Sequence, residues 1–122
     1  KAIKKIINTN KLFGQWNDIV VNANWTSNIK KGFFKLWVNG KLVYHFIGRT
    51  VAPKDQITFQ FGIYRGAAQS SGDANHVVYY DEIRKAKSCK KLKLGKLGYS
   101  CQDLENKKIE KIYSLQWKYY QQ

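Results

Sequence analysis

Thr58-Phe59-Gln60-Phe61-Gly62-Ile63-Tyr64-Arg65 alternates strictly between polar and apolar positions. Side chains of an extended strand point to opposite faces with a period of two. Ile57, Phe59, Phe61 and Ile63 therefore share one face, fit for a core. Thr58, Gln60, Gly62 and Tyr64 share the other, which is polar, opens at a glycine and ends in a phenol. The bland reading is a half-buried strand with a tyrosine at its rim.

Upstream, Phe33–Val38 and Lys41–Ile47 read as two more strands. Asn39-Gly40 between them tolerates the positive φ of a tight hairpin turn. In a regular hairpin Trp37 pairs with Leu42 and Lys35 with Tyr44 on one face. Leu36 then pairs with Val43, and Phe34 with His45, on the other. Trp37, Lys35 and Tyr44 would offer an aromatic and cationic platform to a sugar, although Trp37 serves equally well as core. Trp16–Trp25 and His76–Arg84 also read as extended, and Gly66–Asn75 reads as a surface loop. About five strands with no helix between them predict an all-β antiparallel sandwich or jelly roll rather than βαβ units.

After Arg84 the composition changes. Arg84, Lys85, Lys87, Lys90, Lys91, Lys93 and Lys96 follow one another with no acid among them. From Asp103, a candidate N-cap, the spacing of Leu104, Ile109, Ile112, Leu115 and Tyr119 suits an amphipathic helix. The chain thus divides into a β domain over 1–85 and a basic C-terminal extension over 86–122. Cys89 and Cys101 are either a disulfide closing a short loop or two free thiols.

A length of 122 residues suits a single domain. A formal charge of +14, from 22 Lys and Arg against 8 Asp and Glu, implies a polyanionic partner, an anionic surface or a well-solvated basic protein. No apolar run approaches the ~18 residues of a membrane span. The chain has neither nucleotide-binding glycine motif, no GxSxG elbow and no zinc-ligand spacing, so no cofactor or metal is implied. His45 and His76 stand on strands, where a lone histidine is usually structural.

Four segments lie in the order Gly14-Gln15-Trp16-Asn17-Asp18-Ile19-Val20-Val21, Gly32-Phe33-Phe34-Lys35-Leu36-Trp37-Val38-Asn39-Gly40-Lys41, Phe59–Arg65 and Tyr79-Tyr80-Asp81-Glu82-Ile83-Arg84. Over roughly residues 12–85 they resemble the C-terminal half of polysaccharide lyases of the heparin lyase I-like group. That group shares a concanavalin A-like β-jelly roll with alginate and glucuronan lyases. The resemblance implies β-elimination on an acidic, uronate-containing polysaccharide, in a secreted or periplasmic protein whose signal peptide lies outside this chain. It places the tyrosine of a YxKxGxY-like motif on Tyr64, as general acid and as a candidate for the base. Gln60, Arg65, Lys35, Trp37 and Tyr44 become candidate substrate-binding residues.

Two departures bear on this. Gln60 stands where the motif has lysine, keeping a hydrogen bond and losing a charge. The family's carboxylate-neutralising Gln and proton-transferring His precede the tryptophan motif, so the chain is expected to begin downstream of them. The place of His45 in the hairpin does not match that histidine. The isolated chain is therefore expected to be inactive, with an apolar sheet face uncovered. A non-catalytic lectin-like domain is the alternative, and a basic nucleic-acid-binding protein with aromatic stacking is the third reading.

Overall fold

The structure, a computed structural model, describes residues 5–63 and 76–106. Its centre is an antiparallel sheet of three strands in the order β1 (Ile19–Asn24), β2 (Phe33–Val38), β3 (Lys41–Ile47). Helices α1 (Cys89–Leu92) and α2 (Cys101–Asn106) are short. The architecture is all-β with small helices, consistent with one part of an incomplete sandwich.

Asn39 and Gly40 join β2 to β3 with φ of 51° and 75°, values that these two residue types adopt at least cost. Val38 pairs with Lys41 and Trp37 with Leu42, as a tight turn requires. The regular pairing then ends. Leu36 lies opposite Tyr44, Lys35 opposite His45 and Phe34 opposite Phe46, with a shift between Leu36 and Trp37. Val43 is the extra residue of a β-bulge, which opposes two residues on one strand to one on the other. The expected pairs Lys35–Tyr44, Leu36–Val43 and Phe34–His45 are thereby corrected. Tyr44 moves to the face of Leu36 and Phe34, and His45 takes its place beside Lys35.

One face of the sheet carries the row Val20–Trp37–Leu42. Residues 89–104 cover it as a cap. Trp37, Leu94 and Leu104 are only 2%, 6% and 4% exposed, and Val20, Leu42, Leu92, Leu97, Tyr99 and both cysteines pack around them. The basic extension thus contributes part of the core. Cys89 and Cys101 are disulfide-bonded with their Cα atoms 5.9 Å apart. Closing so short a loop removes unfolded-chain entropy worth about 3 kcal/mol. Helix α2 begins before Asp103. The Ser100 hydroxyl accepts a hydrogen bond from the Asp103 N–H at 3.4 Å, so Ser100 stands in the capping position expected of Asp103. The remainder of the predicted amphipathic helix lies outside the described residues.

Polar groups fasten the cap and the hairpin turn together. The Asn39 N–H donates to the Asp18 carbonyl, and the Asp18 N–H donates to Asn39 Oδ1, both at 2.8 Å. The Tyr99 hydroxyl donates to the Asp18 carboxylate. A Cβ at position 40 would come within 3.0 Å of the Tyr99 ring, so Gly40 serves both the turn and the close approach of the cap. Arg84 donates from Nη1 to the carbonyls of Leu92 and Lys93 at 2.8 and 3.0 Å, and pairs with Glu82. These are the orphan carbonyls at the end of α1.

The stretches expected as fourth and fifth strands pair into no ladder over residues 57–63 and 76–84. Phe59, Phe61 and Ile63, expected in the core, are 55%, 60% and 47% exposed. An alternating face is buried only when a second layer lies over it, and the described residues supply none here. The alternation itself persists: Phe59 and Phe61 ring centroids lie 6.3 Å apart, and Phe61 lies 5.4 Å from Tyr80. One ring contact, Phe61 with Tyr80, joins the two segments.

Candidate functional site

Next to the capped row on the same face, Asn22, Lys35 and His45 form a second row across the three strands. Two residues along a strand separate the rows, about 7 Å. Lys35 and His45 are half-buried. The Lys35 ammonium lies 5.9 Å from the centroid of the Phe33 ring, within cation–π range. Burial, and then the charge of Lys35, hold the His45 imidazole below its ordinary pKa. The row thus sets a cation beside an imidazole biased to its neutral, proton-accepting form.

That bias gives a testable pH dependence. As pH falls, the unfolded chain takes up the His45 proton before the folded chain does. The associated stability is fully present above the unfolded value of about 6.5 and is lost as pH falls through the lower folded value. His45→Gln is expected to flatten the acid limb of stability below about pH 6.5, read as melting temperature against pH. Parallel profiles for the two proteins would remove His45 from that limb.

The other sequence-predicted residues are distributed differently. Gln60 is exposed, two residues before Gly62. Gly62 has φ of 141°, a backbone that glycine adopts without strain, and a Cβ there would meet nothing within 4 Å among the described residues. Tyr44 faces away from Lys35, its ring 6.0 Å from Phe34, and burial raises its phenol pKa. Trp37 is core, not platform: the cap lies over it, and its Nε1 has no hydrogen-bond partner among the described residues. Tyr64 and Arg65 lie outside the described residues.

The structure therefore brings Lys35 together with His45 rather than with Trp37 and Tyr44. Only the extra residue in β3 makes that pairing, and nothing in the hairpin's apolar pattern announces it. A cavity of about 260 Å³ opens between the hairpin turn and the cap, lined by Asn39, Lys41, Tyr99 and Asp103 among others. None of the sequence-predicted site residues among the described residues lines it. Among the described residues no group of His, Cys, Asp and Glu could hold a metal ion, and no helix is long and apolar enough to cross a membrane.

A family model described as polysaccharide lyase matches residues 2–84, which include the whole sheet, the Lys35–His45 row and the Gln60–Gly62 stretch. The chain belongs to the polysaccharide lyase family. No curated protein and no solved structure matches it. The Lys35–His45 row lies within the matched residues.

Proposed function

We propose that the protein cleaves an acidic, uronate-containing polysaccharide by β-elimination. The observation that carries this reading is the family match over residues 2–84, within which the Phe59–Arg65 motif contains Tyr64. A base removes the proton on the carbon next to the uronate carboxylate. The electron pair forms the new carbon–carbon double bond as the glycosidic carbon–oxygen bond breaks. An acid returns a proton to the departing oxygen. Tyr64 is assigned as the acid and as a candidate for the base.

An ordinary phenol, with a pKa near 10, becomes a base at neutral pH only beside positive charge. Arg65 is assigned that task, together with carboxylate binding. Lys35 is assigned to neutralise the enolate-like charge that develops on the uronate. Gln60 would hydrogen-bond the sugar. His45, beside Lys35, is a further candidate proton carrier. A bridged cysteine pair fits an oxidising compartment and supports a secreted or periplasmic site of action.

Gln60, where the motif has a lysine, favours a second reading, a carbohydrate-binding domain that has lost the chemistry. The two separate in one assay. The longest natural polypeptide containing this chain is incubated with alginate, glucuronan and heparin-type chains. Elimination creates an unsaturated end that absorbs in the ultraviolet, and growth of that absorbance on one of the three is the expected result. Binding without any such growth would establish the lectin-like reading instead.

A further inference from the structure

We infer that the disulfide-closed cap carries an auxiliary binding surface for acidic polysaccharide, separate from the reacting groups. The inference deepens the lyase reading, on whose substrate class it rests. Between Ile83 and Gln102 the chain has no acidic residue, and it carries Lys85, Lys87, Lys90, Lys91, Lys93 and Lys96. The fold sorts this segment into two sides. Leu92, Leu94 and Leu97 turn toward the Trp37 core, while all six lysines are exposed.

Arg84 does not belong to that surface. Its guanidinium is engaged by Glu82 and by the carbonyls of Leu92 and Lys93. That contact is the one ion pair among the described residues, so none of the six lysines has a carboxylate partner there. Their charge stays available to a polyanion. The disulfide, the Trp37 core and the Tyr99–Asp18 hydrogen bond hold the segment that bears them. A held array of like charges binds with less ordering cost than a free tail.

Position points to the same ligand. The cap covers the Val20–Trp37–Leu42 row and borders the Asn22–Lys35–His45 row on the same face. A long anionic chain seated at Lys35 would pass onto the cap, because the row that the cap covers lies only about 7 Å away. Point charges on flexible stems do not choose among anionic sugars, so the surface contributes affinity and not selectivity. Longer chains gain from it, and chains too short to span both places do not.

Glutamine keeps the helix propensity of lysine and removes its charge, so the test is K90Q/K91Q/K96Q, with K90R/K91R/K96R as the control. Lys93 is left in place because its backbone is left-handed, with φ of 55°. Binding to heparin- and alginate-type chains is followed across a salt series. The glutamine variant is expected to bind about tenfold more weakly at low salt, with a flatter salt dependence, and the arginine variant to match the parent. Cleavage of short oligouronates should be equal in all three.

Unchanged low-salt affinity in the glutamine variant would reduce the lysines to a solvated surface and overturn the inference. Tighter binding of single-stranded DNA than of any polyuronate at matched salt would overturn it as well, by assigning the surface to nucleic acid. A failed lyase reading shows differently: no ultraviolet product from any substrate, while the lysine-dependent binding persists.

Discussion

Tyr64→Phe is expected to lower β-elimination by at least about 10²-fold while leaving polysaccharide binding nearly intact. General acid–base catalysis by one positioned group is worth roughly 10² to 10⁴ in rate. A residue acting as both acid and base would sit at the upper end. Phenylalanine keeps the ring and its packing and removes only the oxygen that carries the proton. The loss should fall on kcat, with KM little changed. The measurement is initial rate of ultraviolet product in the longest natural polypeptide that contains the chain, beside equilibrium binding of the same substrate. A variant that eliminates at the parental rate would take Tyr64 out of the reaction, and attention would pass to His45.

The second large effect is on stability. Trp37→Ala should cost about 3–5 kcal/mol, the usual range for deleting a buried large aromatic. One opposing term exists. Trp37 Nε1 is buried without a hydrogen-bond partner among the described residues, and removing an unsatisfied donor returns roughly 1–3 kcal/mol. The cavity left between sheet and cap outweighs it, because Leu94 and Leu104 lose the ring they pack against. Against a total stability of about 5–15 kcal/mol, such a loss brings the domain close to unfolding. Trp37→Phe, which keeps most of the volume and drops the unsatisfied N–H, should be much milder. Denaturant unfolding of the three proteins makes the comparison. A Trp37→Ala protein with parental stability and lost sugar binding would reverse the assignment and return Trp37 to the substrate.

Particular residues show how far the sequence could be read. Asn39-Gly40 fixed the hairpin turn because both tolerate a left-handed backbone, and Trp37–Leu42 followed from it. Val43 could not be recognised as a bulge, since a β-branched apolar residue looks the same in or out of register. The alternation of Phe59 and Phe61 was legible, but whether a covering layer exists is a tertiary fact that periodicity does not carry. Leu104 stood out by its helical spacing, whereas the cap's other leucines did not, for a different reason. Between α1 and α2 the chain turns left-handed at Lys93 and Gly98, so Leu92, Leu94 and Leu97 follow no single period. At the candidate site Lys35 was found by its charge and place. His45 does not match the place of the family histidine, and a regular register puts it on the face opposite Lys35.

That register has a consequence for how the hairpin can change over time. A point substitution alters one side chain where it stands. Loss of the single codon for Val43 would erase the bulge and leave every partner in place: Trp37 with Leu42, Leu36 with Tyr44, Lys35 with His45. Drawing Val43 into a regular ladder, with no change in length, would do the opposite. Tyr44 would then stand across from Lys35, and His45 would turn to the far side among Phe34 and Leu36. Relatives one residue shorter here would keep the imidazole beside the lysine, whereas relatives of equal length without the bulge would set a phenol there.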